Sequence, residues 1–400
     1  KMTEEGFCHP AISTKEKSIS ALCLSIKYYP TLLQQHWKKL RHIITAKALH
    51  QPSTIETEDH IFTPFHLLCG SPEGINLLLT HWSFFKDKVT QELLHRAITG
   101  SSSVPDLTPV HQLCSSPEGI NLLLTYWDYF KDKVTPELLH RPVTGNCPAQ
   151  GDTPFYILCS SPEGINILLT HWDFFKDKVM QEHLHRPITG SGSQQGVTPF
   201  HHLCSRLAGI NLLLTHWDFF KDKMTQEQLH LPFTGSGFNQ GVTPFHHLCC
   251  RSEGVNLLLT HWDSFKDKIT QEQLHLPITG QGPAQNVTPF HHLCAIPEGI
   301  NLLCSHWDFF QGKVSKGQLY QPLLGDKNVT PFHLLSAHPE GKKLLHHETE
   351  ASEAPHQNDA EGSENSGLKT AHMASELGIF RGAAAESQEN PNLVKTFEPG

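Results

Sequence analysis

The chain is sparing in several respects. Charged residues make up 18% of its 400 positions, below the usual quarter, and it has only four methionines, six tyrosines and seven tryptophans. No apolar run approaches the ~20 residues that cross a bilayer, and the first residues do not form the charged, apolar and small-residue series of a secretory signal. No membrane insertion and a cytoplasmic location are therefore expected. A basic surplus is also missing. The formal net charge is -9, and Glu348 to Gly400, with ten acidic and three basic residues, accounts for -7 of it. The near-neutral remainder offers no electrostatic grip on nucleic acid, which needs a net basic face. Neither a distinct glycine-rich phosphate loop nor a unique carboxylate pair is present, so the sequence suggests no enzyme.

What the chain has is repetition. The seven tryptophans stand at Trp37, Trp82, Trp127, Trp172, Trp217, Trp262 and Trp307, each 45 residues from the last. "TPFH" or a near variant begins at Thr63, Thr108, Thr153, Thr198, Thr243, Thr288 and Thr330. A fixed period of this length marks a repeat array, in which one copy hides its apolar face only against its neighbours. Residues 63–347 form that array, the last copy being partial. Residues 1–62 keep the register without "TPFH" and are expected to be a degenerate capping copy, made more polar by Lys38, Lys39, Arg41 and His42. The last step shortens to 42 residues by losing three between Gly325 and Thr330, so that stretch is expected to be a loop.

Within a copy, Thr63 suits an N-cap and Pro64 the first helical position. Phe65, Leu68 and Cys69 then make a short buried stripe. "SPEG" starts a second helix, with Ser71 as cap and Glu73 near its positive end. Ile75, Leu78, Leu79 and Trp82 fall on one face of it, and the tryptophan is expected to end that stripe and bridge to the next copy and to the phenylalanines that follow. A short third helix is expected at "TQELLH" and its equivalents, for which Thr135, Pro136 and Glu137 repeat the capping logic. "KDK" reads as a solvated face, because Asp173, Lys176, Asp177 and Lys178 nearly cancel.

Eleven cysteines and thirty histidines invite metal or thiol chemistry. Their placement argues against it. Cys69, Cys114, Cys159, Cys204, Cys249 and Cys294 share one column, and equivalent positions on packed helices lie roughly 10 Å apart. That is too far for disulfides or for shared zinc coordination by pairs such as His201 and Cys204. Buried thiols, no metal and no cofactor are expected. From Glu348 the composition is acidic and lacks a helical apolar stripe until "HMASELGIF", so residues 348–400 are expected to be a disordered tail. Met373, Leu377 and Phe380 are its one candidate binding motif.

"TPFHLLC" at 63–69 and "TPFHHLC" at 198–204 resemble the T-P-L-H-x-A signature of ankyrin repeats, and "INLLL" resembles that family's apolar second helix. The resemblance covers residues 63–347. It implies an all-α, ankyrin-like helical solenoid with long loops between copies and a role in binding protein. It also implies that Thr63 with His66, Thr198 with His201, Thr243 with His246, and Thr288 with His291 hold the turn and neighbouring copies together. Three-helix solenoids of the HEAT or armadillo kind overlap the 45-residue period. The expected function is a non-enzymatic scaffold that binds an unidentified protein partner along the repeated surface. The alternatives are a bacterial effector secreted into host cytoplasm and a metal-binding or thiol enzyme array.

Differences between copies suggest where a partner would sit. Leu67, Gln112, Ile157, His202, His247, His292 and Leu334 occupy one first-helix position, and the loops before each Thr-Pro vary freely. Gln112, His202, His247 and His292, with the loop aromatic Phe238, are the expected contacts.

Overall fold

A computed structural model of the chain describes residues 10–14, 17–55, 58–100, 106–145, 147–191, 194–322 and 329–350. They are mostly helical, in many short helices packed as adjacent pairs. Two compact bodies divide them, one within Lys1–Val179 and Ile188–Ser191, the other within Met180–Pro187 and Gly192–Glu389.

The copy that begins at Thr63 shows how each is built. Thr63 accepts the backbone N–H of His66, and Pro64 opens a six-residue helix, Pro64–Cys69. Ser71 caps the second helix, Pro72–Thr80, by accepting the N–H of Gly74. Thr90 caps Gln91–His95 in the same way. Side-chain oxygens thus satisfy N–H groups that the first turn of a helix leaves unpaired.

The second helix ends before its tryptophan. It stops at Thr80, His81 leaves helical geometry, and Trp82 opens a separate one-turn helix, Trp82–Phe85. The same break precedes Trp127–Phe130, Trp172–Phe175, Trp217–Phe220, Trp262–Phe265 and Trp307–Phe310. This corrects the reading of Trp82 as the end of the second helix's stripe.

Within the first body, helices Pro64–Cys69, Pro109–Cys114 and Pro154–Cys159 pack in succession, and so do Pro72–Thr80, Pro117–Thr125 and Pro162–Thr170. In the second body the first helices Pro199–Ser205, Pro244–Cys249, Pro289–Ala295 and Pro331–Ser336 form one such row. Leu207–Thr215, Ser252–Thr260, Pro297–Ser305 and Pro339–Glu350 form another. The core lies between the two rows of each body, and Phe65, Phe155, Phe245 and Phe290 are buried in it.

One glycine column sets the spacing within a helix pair. A Cβ on Gly209 would come within 2.3 Å of the carbonyl oxygen of Leu203, and one on Gly254 within 2.3 Å of that of Leu248. Gly74, Gly119, Gly164, Gly299 and Gly341 meet the equivalent leucine carbonyl just as closely. Only a residue without a side chain lets the second helix approach the first this far.

The loops between copies are tied to one another through the backbone. Phe233 and Val242 close one loop, and Ile278 and Val287 close the next, with N–H to O distances of 2.8 and 2.9 Å. Consecutive loops then join, the N–H groups of Thr279 and Gly280 donating to the carbonyl of Gln240 at 2.9 and 2.8 Å. Gly151, Gly196 and Gly241 have positive φ, and Asn286, at φ 66°, takes the same place in the following loop. Asparagine is among the few side-chain-bearing residues that enter this region readily.

The N-terminal segment keeps the helical register, with Trp37–Leu40 and Ala46–His50 standing 45 residues before Trp82–Phe85 and Gln91–His95. Ala21–Tyr28 packs on Pro64–Cys69, and Pro30–Gln35 packs on Pro72–Thr80. It also holds strands. β1 (Pro10–Thr14) pairs antiparallel with β2 (Lys17–Ser20), and β3 (Ser53–Ile55) with β4 (Glu58–Phe62). Ile61 of β4 exchanges two backbone bonds with Thr99, which makes β4 the first rung under the loops. Lys38, Lys39, Arg41 and His42 are exposed, but Tyr28, Tyr29 and Leu32 are exposed as well, so this segment is less polar than expected. At the other end, Pro339–Glu350 runs past residue 347, where the tail was expected to begin. The shortened loop and the tail beyond Glu350, including Met373, Leu377 and Phe380, lie outside the described residues.

Candidate functional site

The partner-contact candidates on the first helices are buried. Gln112 is 6% exposed, His202 8%, His247 4% and His292 2%. Leu67, Ile157 and Leu334 in the same column are buried too. Each first helix is only six or seven residues long, with another first helix on one or both sides and its own second helix against it. No half-exposed flank remains, and the expectation that these four side chains meet a partner is corrected. Phe238 is different. It is 55% exposed in its loop, and a Cβ on Gly282 in the next loop would lie 2.4 Å from its ring.

The threonine and histidine of "TPFH" form a bonded unit. The backbone N–H of Thr63 donates to Nδ1 of His66 at 3.1 Å, and the threonine hydroxyl lies 2.8 Å from the same nitrogen. On the far side of the ring, Nε2 is 2.8 Å from the carbonyl of Arg96. An Nδ1 that accepts from an N–H has no hydrogen of its own. The ring is therefore the neutral tautomer with hydrogen on Nε2, which donates to the carbonyl. Thr198 with His201 repeats this onto Leu231, Thr243 with His246 onto Leu276, and Thr288 with His291 onto Gln321. Burial pushes these imidazoles down, His66 and His291 to about 4, His201 and His246 to about 3.

A second histidine column joins one copy to the next. Nε2 of His95, His140, His185, His230 and His275 lies 2.9 to 3.2 Å from the carbonyls of Lys133, Lys178, Lys223, Lys268 and Lys313. Sequence reasoning missed these ties, though the 45-residue recurrence of the histidine was there to be seen.

Trp37, Trp82, Trp127, Trp217 and Trp262 each sit in a cage supplied by the following copy. His81 stacks on Trp37 at 4.2 Å between ring centroids, Tyr126 on Trp82 at 4.9 Å, His171 on Trp127 at 4.5 Å, His261 on Trp217 at 4.4 Å and His306 on Trp262 at 4.3 Å. Phe174 meets Trp127 edge-on at 5.0 Å, and Phe309 meets Trp262 at 5.1 Å. Trp172 is 6% exposed, and Trp307 opens the last one-turn helix. "KDK" is only partly a solvated face. Its first lysine pairs with an exposed aspartate, as Lys176 does with Asp173 at 2.7 Å. Its second covers an aromatic ring, Lys178 lying 3.6 Å from the centroid of Phe174 and Lys88 3.5 Å from that of Phe84.

Cys69, Cys114, Cys147, Cys159, Cys204, Cys249, Cys250, Cys294 and Cys304 are free thiols, and all of these but Cys304 are buried. Burial pushes the Cys204 and Cys249 thiols well up, away from the reactive thiolate. Among the described residues no three His, Cys, Asp or Glu side chains are placed to hold a metal ion, and no helix is long and apolar enough to cross a membrane. Asp152 stands apart. It is 2% exposed, in a column otherwise filled by Phe62, Leu107, Val197, Val242, Val287 and Val329, and burial raises its carboxyl to about 7.

No protein-family model matches the chain, and no curated protein sequence matches it. The reading of its function rests on the arrangement just described.

Proposed function

We propose that the chain is a non-enzymatic scaffold, an ankyrin-like helical solenoid whose repeated outer surface binds another protein. The observation that carries this reading is the division of labour among the recurring residues. The histidines, tryptophans and cysteines that would supply chemistry are buried or bonded within the repeats. The residues that recur in the open are polar, above all Asn76, Asn121, Asn166, Asn211, Asn256 and Asn301, one on each of six second helices and each exposed. Successive second helices lie side by side within each body, so these amides form a row in each. Such a row of carboxamides suits the hydrogen-bonding edge of an extended or helical protein segment. The Thr-Pro start, the short first helix and the tied loops support the ankyrin-like form, and Phe238 offers an exposed aromatic anchor in one of those loops.

The test is a triple substitution, Asn211→Lys, Asn256→Lys and Asn301→Lys, in the intact chain. The expected outcome is an unchanged circular dichroism spectrum and at least tenfold weaker capture of a partner recovered by proximity labelling. Undiminished capture by a folded triple variant would overturn this choice of face.

A further inference from the structure

Two departures from the repeat fall at one point. Gly70 is the sole glycine in a column whose other members are Ser115, Ser160, Ser205, Cys250, Ala295 and Ala337, and Gln112 is the sole carboxamide in its own column. The two are neighbours, a Cβ on Gly70 lying 2.9 Å from Nε2 of Gln112. Beside them is a cavity of about 140 Å³ within the first body, walled by Ile26, Phe62, Leu67 and Ile98. Gln112 lines it as well, and its Oε1 is buried without a hydrogen-bond partner. His66 also lines the cavity, but both its ring nitrogens are engaged, with Thr63 and with the Arg96 carbonyl.

We infer that this cavity is a binding site for a phenol ring, held by the apolar walls and by a hydrogen bond from its hydroxyl to the Gln112 carboxamide. Size, lining and polarity each contribute to the choice. An apolar cavity of roughly 150 Å³ accepts a benzene-sized ring. A buried acceptor without a donor is costly, so an occupant that supplies a donor gains more than a bare hydrocarbon. A hydroxyl both donates and accepts, and so pairs with either end of a carboxamide. Lys27, Pro30 and Glu73 border the same space, and Tyr28 and Tyr29, 50% and 57% exposed, lie between Lys27 and Pro30 in the chain. The cavity therefore adjoins a segment whose aromatic side chains are already in the open, as at a ligand entrance.

The ring could belong to a free small molecule or to a tyrosine of a partner protein. Titrating the intact chain with phenol, benzene and N-acetyl-tyrosine amide, followed by NMR and by the thermal melt, separates the possibilities. Phenol is expected to bind and raise the melting temperature, and benzene to bind roughly tenfold more weakly, the effect of one hydrogen bond. Binding of the tyrosine amide as well identifies a protein side chain as the occupant, whereas binding of phenol alone identifies a free small molecule. Gln112→Leu is expected to remove the preference for phenol over benzene, and Gly70→Ser, which restores the residue of three sibling copies, to block both. No binding of phenol to the wild-type chain, or equal binding of phenol and benzene, would overturn the inference without any variant having to fold.

Discussion

His66, His111, His201, His246 and His291 carry no charge when folded, and that decides how the molecule meets acid. Burial holds His66, His111 and His291 at about 4 and His201 and His246 at about 3, below the ordinary 6.5. The unfolded chain takes up protons as pH falls through 6.5, and the folded chain does not until about 4. Stability is therefore full above 6.5 and is lost as pH falls between those limits, by about 2 kcal/mol at pH 5 for each histidine held at about 4. Urea melts at pH 7.5 and pH 5 should show a clearly lower midpoint in acid, and superimposable melts would contradict the neutral, bonded histidines. Asp152 runs the other way. Its carboxyl is raised from 3.8 to about 7, so ionisation opposes folding increasingly from pH 4 to pH 7. Asp152→Val, which restores the side chain of four sibling copies, should leave stability near pH 4 unchanged and raise it by roughly 2 to 4 kcal/mol at pH 8. A variant no more stable than wild type at pH 8 would show that the carboxyl has a partner.

Among the elements, the glycine column makes a sharp test. Gly209→Ala sets a methyl group against the Leu203 carbonyl, a backbone atom that cannot step aside, and should cost more than 2 kcal/mol by overpacking. Gly317 lies in the helix Lys316–Leu319 with nothing closer than 3.9 Å to an added Cβ. Gly317→Ala should therefore stabilise by up to about 1 kcal/mol, because alanine is the better helix former. Thermal melts of the two variants should move in opposite directions. The starts of these helices were legible in the sequence, because a cap is local: Thr63, Ser71 and Thr90 each act on an N–H three residues ahead. The stop at His81 was not. Nothing in "THW" breaks a helix by itself, and what the break achieves, an indole seated against His81's counterpart in the next copy, is tertiary. The candidate site failed for a related reason. Divergence among Gln112, His202, His247 and His292 resembled that of a free surface, whereas a helix of six residues packed on several sides has no free surface. The N-terminal hairpins were missed because that segment was read through the register of its neighbours, which are wholly helical.

At the scale of the whole molecule, three systems of contacts join successive copies: the caged tryptophans, the histidine bonds to lysine carbonyls, and the loop rungs. They are redundant, so loss of one should weaken a body without dividing it. Trp217→Ala removes a side chain that is 8% exposed and stacked on His261, and should cost about 3 to 5 kcal/mol. The histidine tie from His230 to Lys268 remains to hold the same junction. A melt that stays cooperative at a lower midpoint is expected, and two separated transitions would show that the tryptophan alone joined the copies.

The histidine ties also say how such a chain can change in length. Every bond from His185, His230 or His275 spans 38 residues and carries no mark of which copy it joins. Removing residues 243–287, one full period, would bring His230 against the segment that now serves His275, with each donor still meeting a carbonyl. Removing 44 residues would rotate every later side chain off its partner. Near-identical coding segments recombine in register, so variants of this chain are expected to differ by whole copies, as beads are added to or dropped from a string. The copies with Gly70, Gln112 and Asp152 are the exceptions, since no sibling carries their side chains and their loss could not be made good by exchange.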